Sequence, residues 1–97
     1  MSMFKLDGTN IVPITENEEA REAFEADRQV ALTNVSEEVL VSTVFLVYDH
    51  NFFDSGPPLV FETMIFGGEK DGELHRASSW NEAVKQHQTT VNELIDS

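Results

Sequence analysis

The chain contains no cysteine among its 97 residues. This absence excludes disulfide bonds, thiolate nucleophiles and zinc sites built on cysteine. It also fits a reducing compartment, because structural disulfides are concentrated in secreted proteins. A hydrophobic core therefore has to hold the fold. A chain of this length is expected to form one domain that buries about 60–65% of its unfolded surface.

Positive charge is scarce. Six Lys and Arg residues stand against 18 Asp and Glu residues, which gives a formal net charge of −12. An acidic surface repels nucleic acid and anionic membranes, because both are bound mainly through basic side chains. Direct binding to nucleic acid or membrane is therefore not expected, and a charged partner should be a protein with a basic surface. Solubility alone is an equally simple explanation of the charge.

Long hydrophobic runs are also missing. No apolar segment approaches the roughly 20 residues that span a membrane. The N-terminal stretch MSMFKLDG reaches Asp7 too early for a signal peptide. The hydrophobic fraction of 40% is typical of globular domains. The sequence thus predicts a soluble, intracellular protein.

Residues 15–28 have the pattern of an acidic helix. Thr15 and Glu18 have the spacing of a capping box, in which each side chain satisfies a free backbone N–H. The apolar stripe is narrow and contains one aromatic residue, Phe24. Since nearly all other positions are charged or polar, this helix is predicted to lie on the surface.

Residues 79–95 have the pattern of an amphipathic helix. Ser79 and Glu82 repeat the capping-box spacing at its start. This helix is expected to cover a sheet with its apolar stripe. The stripe comprises Trp80, Ala83, Val84, His87, Val91 and Leu94.

Residues 29–78 predict an antiparallel meander. Runs rich in β-branched and aromatic residues favour strands at 29–35, 39–49 and 59–67, and HRAS at 75–78 adds a short fourth strand. Residues 1–14 are expected to form an extended segment with a turn at Asp7–Gly8. Short loops between consecutive strands favour antiparallel pairing. The predicted fold of residues 1–97 is a single α+β domain, with a three- to four-stranded sheet packed by two helices.

The segment GPPLVFETMIFGG, residues 56–68, has a carboxylate at its centre. Strand alternation places Glu62 on the face opposite Phe61. Three interpretations are open: Glu62 is exposed, it pairs with Arg28 or Arg76, or it belongs to a functional or dimer surface. One face of the sheet should be the helix-packed core. The other is half apolar and needs cover from the N-terminal segment, a second copy or a partner.

The strings VSTVFLVYDH, GPPLVFETMIFGG and SSWNEAVKQH together resemble a group of small, uncharacterised proteins encoded by phages and prophages. The resemblance covers residues 28 to 88, about two thirds of the chain. Asp49, His50, Glu62 and Trp80 coincide with the pattern of that group. The resemblance implies a phage origin, a shared fold and the cytoplasm of a host cell. It implies no reaction, because the group has no assigned activity.

The residues that could bind a metal or perform acid–base chemistry are Asp49, His50, Glu62, His75 and His87. Adjacent strand residues point to opposite faces, so Asp49 and His50 do not converge on one ligand within a strand. No HxH, HExxH or GxSxG spacing is present. The sequence therefore predicts no catalytic residue, no metal site and no cofactor. Asp49 and His50 are expected to hydrogen-bond the loop that follows them.

Phe52 and Phe53 are adjacent aromatic residues in a predicted loop. Either they are shielded, one by the sheet and one by the Pro57–Pro58 segment, or they are exposed. Exposed aromatic residues in an acidic setting are typical of protein-binding contacts. The candidate interaction surface is Phe52, Phe53, Asp49, His50 and Glu62.

The best-supported function from sequence is a non-enzymatic module that binds and modulates a host or viral protein. Three alternatives remain open. The chain could be a homo-oligomeric structural or virion-associated protein, of which a homodimer is the simplest form. It could be a DNA mimic that uses an acidic face at Glu18, Glu22 and Glu25. It could be a small metal-dependent enzyme that uses Asp49, His50 and Glu62.

Overall fold

The computed structural model describes residues 2–53 and 55–96. In this part of the chain, six strands and two helices follow one another. The strands are β1 (Phe4–Asp7), β2 (Asn10–Pro13), β3 (Gln29–Asn34), β4 (Leu40–Phe45), β5 (Phe61–Phe66) and β6 (Leu74–Ala77), and the helices are α1 (Asn17–Glu25) and α2 (Trp80–Ile95).

A four-stranded antiparallel sheet with the order β3-β4-β5-β6 is the centre of the fold. Each strand pairs with its neighbour in sequence, as short connections favour. The central pair runs from Leu40 opposite Phe66 to Phe45 opposite Phe61. β1 and β2 form a separate two-stranded sheet. The predicted α+β class, with a meander and two helices, is confirmed.

The N-terminal segment is a hairpin. Gly8 has a φ of 63°, which suits the turn between β1 and β2 because glycine has no Cβ to clash in the left-handed region. The Phe4 N–H donates to the Val47 carbonyl at 2.8 Å. Met3 and Tyr48 form an isolated bridge beside this bond. The hairpin is therefore joined to the chain just beyond β4, and its β1 strand also packs against α1.

β4 ends at Phe45, so the predicted strand over 39–49 was too long. The reason is Val47, whose φ of 73° lies in the left-handed region that β-branched residues rarely adopt. The Val47 side chain is fully buried. The surrounding core holds this backbone conformation, because burial of the valine offsets a strain on the order of 1–3 kcal/mol.

α1 begins at Asn17 and not at Thr15. Its N-cap residue is Glu16, which makes no side-chain capping bond. The predicted capping box of Thr15 and Glu18 is therefore wrong. The Glu18 carboxylate instead accepts a hydrogen bond of 2.9 Å from Arg21. Electrostatic attraction to the positive helix N-terminus remains available to the acids of the first turn.

Phe24 attaches α1 to the rest of the molecule. Its ring lies 5.2 Å from the Tyr48 ring, and the Arg28 guanidinium lies 5.5 Å from the Phe24 centroid. Both are favourable aromatic contacts. The single aromatic residue of the acidic helix thus contacts the same segment that holds the hairpin.

α2 runs across the four-stranded sheet. Its N-cap Ser79 accepts a hydrogen bond of 3.2 Å from the Glu82 N–H, which is one half of the predicted capping box. Trp80 packs edge-on against Phe61 with centroids 6.3 Å apart. Neither helix of the described residues has the length and apolar character needed to cross a membrane.

The core lies on one face of the sheet. Phe45 and Phe61 are opposite each other on β4 and β5, with ring centroids 5.4 Å apart. Ala83 of α2, Phe4 of the hairpin and Ala23 of α1 pack into the same cluster. In the described chain, both helices and the hairpin thus lie on this side. The opposite side of the sheet, which we call the open face, is left without a layer.

Candidate functional site

Asp49 fastens the loop between β4 and β5 at both ends. Its carboxylate oxygen Oδ1 accepts hydrogen bonds from the N–H groups of Asn51, at 2.8 Å, and Leu59, at 2.9 Å. The His50 N–H donates to the Leu59 carbonyl at 2.9 Å. The expectation that Asp49 and His50 hydrogen-bond this loop agrees with these contacts. Asp49 therefore joins the backbone of Asn51 to that of Leu59 on the other side of the loop.

Asn51 closes the loop from the inside. Its side-chain amide donates to the carbonyls of Ser55 and Pro57, the latter at 3.2 Å. Its Oδ1 accepts from the Phe53 N–H at 3.3 Å. A side chain that bonds backbone groups on both sides of a turn fixes the turn locally. The Asn51 side chain thus ties residues 51–53 to residues 55–57 at the surface.

Phe52 and Phe53 project from this loop into solvent. Their side chains are exposed by 64% and 87%, respectively. The alternative that the sheet and the Pro57–Pro58 segment shield them is therefore wrong. The Phe52 ring keeps one neighbour, the His50 imidazole, at 6.0 Å between centroids. We call residues 49–53 the aromatic loop.

His50 completes the aromatic loop. Its Nδ1 donates a hydrogen bond of 2.9 Å to the Tyr48 carbonyl. The side chains of Asp49 and His50 thus hydrogen-bond backbone groups in and beside the loop. Among the described residues, no group of three His, Cys, Asp or Glu side chains is placed to hold a metal ion.

Glu62 does not join the aromatic loop. It lies opposite Arg76 on the open face, and the Arg76 Nε donates to its carboxylate at 3.2 Å. Of the three interpretations of this residue, pairing with Arg76 is the observed one. A half-buried carboxylate needs such a partner, because burial without one is costly. The structure thus brings together Asp49, His50, Phe52 and Phe53 and leaves Glu62 on the sheet.

The candidate acidic face lies on α1. Glu18, Glu22 and Glu25 are exposed and share one side of the helix, since they are four and three residues apart. The Arg21 guanidinium pairs with Glu18 at 2.9 Å. Arg21 therefore places a positive charge within the acidic face, and the DNA-mimic role stays a prediction.

Sequence reasoning missed a buried polar chain beneath α2. His87 is only 5% exposed, and both of its ring nitrogens are hydrogen-bonded. Nε2 lies 2.9 Å from the Thr33 hydroxyl, and Nδ1 lies 2.7 Å from the Thr43 hydroxyl. The Thr43 and Thr63 hydroxyls are 2.7 Å apart. The sequence did contain a signal for it. Thr33, Thr43 and Thr63 all stand at odd-numbered positions of neighbouring strands, where they can share one face of the sheet.

The donor and the acceptor of each hydrogen bond in this polar chain can be assigned by starting from Gln86, which lies at its end. The Gln86 amide nitrogen donates to the Arg76 carbonyl, so its oxygen faces Thr63 and accepts from that hydroxyl at 3.3 Å. Thr43 must then donate to Thr63, and His87 Nδ1–H must donate to Thr43. The neutral tautomer with the proton on Nδ1 satisfies every member.

Burial also sets the charge state of His87. Desolvation lowers the pKa of His87, because the interior disfavours the imidazolium form. Thr43 and Thr63 are fully enclosed beside it. His87, Thr43 and Thr63 are thus closed off from solvent, and hydrogen bonds within the polar chain satisfy their polar atoms.

No protein-family model, curated protein or solved structure matches the chain.

Proposed function

We propose that the chain is a non-enzymatic protein-binding module that modulates a host protein in the cytoplasm, and that the aromatic loop is its contact site. One observation carries the proposal: two adjacent aromatic rings, Phe52 and Phe53, point into solvent from a loop that is fastened internally. A phage origin is part of this proposal: the sequence resemblance implies it, and it would make the host the source of the partner.

Two phenylalanine side chains exposed to water are unfavourable, and their burial against a partner removes this unfavourable contact. Burying one phenylalanine side chain contributes roughly 1.5–3 kcal/mol, so the pair offers roughly 3–6 kcal/mol to a complex before the costs of association. Aromatic residues are also enriched among the few interface residues that dominate binding energies. The bulk of Phe53 is accessible, so a partner pocket can enclose it.

The fastening of the loop supports the same use. Bonds from Asp49 and Asn51 hold the backbone on both sides of the two rings. A loop that is ordered before binding loses less conformational entropy on association. These residues thus support binding indirectly, by positioning Phe52 and Phe53.

The partner is expected to carry positive charge around an apolar pocket. The chain has a net charge of −12, which raises the association rate with a basic surface and makes it sensitive to salt. The proposal that the chain is not an enzyme is supported by its polar residues: Asp49 and His50 bond the loop backbone, and His87 bonds threonines.

The test is affinity capture from host lysate with three versions of the chain: wild type, the double variant Phe52→Ser/Phe53→Ser, and the control Val84→Ser. Val84 is an exposed apolar residue of α2, outside the aromatic loop and the open face. We expect a specific protein to bind wild type and the control, and its affinity for the double variant to fall by roughly tenfold or more. A purified partner should bind more weakly as salt rises.

Two results would contradict the proposal. One is equal affinity of the captured protein for wild type and for Phe52→Ser/Phe53→Ser. The other is repeated failure to capture any protein at low and at moderate salt.

A further inference from the structure

Six of the eleven paired strand residues on the open face are apolar, although no layer of the described chain covers this face. Leu32, Phe66 and Leu74 are exposed by 56%, 46% and 38%. A contiguous apolar patch on a sheet usually marks an interaction surface. The paired strand residues that form the apolar part of this face are Leu32, Leu40, Val44, Met64, Phe66 and Leu74.

The open face carries no net charge. Among the paired strand residues that point to it, Glu62 and Arg76 are the charged ones, and they bond each other. The remainder of the chain therefore contains the whole excess of 12 negative charges. A basic partner would be drawn to those acidic regions and not to this face. The face instead matches a surface that is equally apolar and neutral.

We propose that the open face binds the open face of a second copy of this chain, so that two sheets stack about a two-fold axis. Such an arrangement is the commonest symmetry of soluble oligomers, and it lets one patch serve both partners. Each copy retains its own core on the other side of its sheet, and the dimer is a four-layered sandwich.

The side chains of the open face are complementary under this symmetry. A row of paired residues crosses the sheet in the order Leu32, Ser42, Met64, Leu74. An axis parallel to the strands and midway between β4 and β5 places Met64 of one copy over Ser42 of the other. The same axis places Leu32 over Leu74. The largest side chain of the central pair thus meets the smallest, and the two edge leucines meet each other.

The neighbouring row follows the same rule. Leu40 is paired with Phe66 on the next strand, so the axis sets Leu40 of one copy against Phe66 of the other. Ser42 lies between Leu40 and Val44 along its strand, and its hydroxyl accepts a hydrogen bond of 3.1 Å from the Gln29 side-chain amide, so Met64 of the other copy meets a small polar residue here. Interlocking of large and small residues is how stacked sheets fill their interface.

The size of the face indicates a reversible dimer. Four strands at about 4.8 Å spacing and six residues at about 3.3 Å each give a projected area of roughly 400 Å² per copy. A standard interface buries about 800 Å² per partner, so this one belongs to the weaker class. Dimer formation should therefore depend on concentration, and the monomer should remain folded.

The experiment is analytical ultracentrifugation from micromolar to millimolar concentration. We expect the 10.9 kDa wild-type chain to self-associate with rising concentration. Leu32→Glu should weaken the dimer by roughly tenfold or more, because each copy then buries a charge against a leucine. Adding Leu74→Lys should restore association, since each new acid then faces a new base on the other copy. Val84, which the sequence places in the apolar stripe of α2, is in fact 44% exposed, so Val84→Glu adds the same charge away from the sheet and should behave as wild type.

The rescue is specific to the proposed alignment. β3 and β6 are the two edge strands of one sheet, so Leu32 and Leu74 of the same copy do not contact each other. Circular dichroism and the fluorescence of Trp80 check that each variant is folded. Phe52→Ser/Phe53→Ser should still dimerise, which separates this proposal from the proposed function.

Three outcomes would overturn the pairing. A wild-type chain that stays monomeric at millimolar concentration is the first. Equal association of Leu32→Glu and Val84→Glu is the second, and failure of Leu74→Lys to restore association is the third. If wild type is monomeric and Leu32→Glu abolishes capture of a host protein, the open face binds that protein and not a second copy.

Discussion

Replacing Thr43 by valine should destabilise the protein, although the two side chains have nearly the same shape. The Thr43 hydroxyl lies 2.7 Å from both His87 Nδ1 and the Thr63 hydroxyl. In the variant, a methyl group faces the imidazole. The tautomer with the proton on Nδ1 then lacks an acceptor, and the other tautomer lacks a donor. One buried ring nitrogen is unpaired in either case.

The size of the effect follows from two opposing contributions. Leaving a buried polar group unsatisfied costs about 1–3 kcal/mol, and the upper part of that range, about 2–3 kcal/mol, applies here because Thr43 is fully enclosed. The added methyl group contributes about 0.8 kcal/mol of hydrophobic burial in the opposite direction. The net loss in free energy of unfolding for Thr43→Val should therefore be about 1–2 kcal/mol. This is a substantial share of the 5–15 kcal/mol that is usual for small domains, about 10–20% in the middle of that range.

Urea unfolding at mildly alkaline pH measures this difference. Trp80 is the only tryptophan, so its fluorescence reports on the packing of α2 against the sheet. With a slope of about 1–3 kcal/mol per molar urea, the midpoint of Thr43→Val should fall by roughly 0.5–1 M. Thr89→Val is the matched control. Thr89 is exposed on α2, and its replacement should change stability by less than about 0.5 kcal/mol.

The expected loss of stability in Thr43→Val rests on the hydrogen bond that His87 Nδ1–H donates to the Thr43 hydroxyl. If Thr43→Val is as stable as wild type or more stable, while Thr89→Val is unchanged, then His87 does not depend on the Thr43 hydroxyl. The polar chain would then be a coincidence of packing and not a stabilising feature.

Two further perturbations have expected outcomes. Burial lowers the pKa of His87 below its ordinary value of about 6.5, so the unfolded chain binds the proton first as the pH falls. The stability that depends on neutral His87 should be complete above pH of about 6.5 and should decrease below it by at most about 1.4 kcal/mol per pH unit. The difference between wild type and His87→Gln in urea titrations should therefore shrink from neutral to mildly acidic pH, and a constant difference would refute the assignment. Gly67→Ala should cost more than Gly8→Ala in thermal unfolding. Gly67 has a φ of 87° and a Cβ there would overlap the Glu38 carbonyl oxygen, whereas a Cβ on Gly8 meets no atom within 4 Å and brings only the left-handed penalty of about 1–2 kcal/mol. Equal losses of Tm in the two variants would show that the approach of Glu38 is not tight.

The regular elements were predictable because their patterns are local. The apolar stripe from Trp80 places α2 correctly to within a residue. The β-branched runs place β4 and β5, and the Asp7–Gly8 turn places the hairpin. The end of β4 was not predictable, because a valine at position 47 gives no local sign of a left-handed backbone. Its conformation is imposed by the core around it.

In the candidate site, too, features set by local sequence were predictable and features set by the surrounding structure were not. The bonding of Asp49 to its loop follows from the ordinary behaviour of aspartate before a turn. The exposure of Phe52 and Phe53 depends on the loop conformation, in which the Asn51 amide bonds the carbonyls of Ser55 and Pro57, and no residue pattern in the loop predicts that conformation. The polar chain was missed because threonine on a strand is explained by its β propensity alone. Its role emerges once the register places Thr43 beside Thr63.

The buried chain of hydroxyls has a consequence for how the strands choose their alignment. β4 is apolar on both faces, so hydrophobicity alone distinguishes poorly between neighbouring registers. Sliding β4 by two residues would keep the same face under α2 but would put Val41 or Phe45 where Thr43 stands. The imidazole would then face hydrocarbon on that side. The hydroxyl and imidazole groups of the polar chain therefore favour one register of β4 over others that bury a similar amount of apolar surface. The unique alignment of the native sheet depends on these groups.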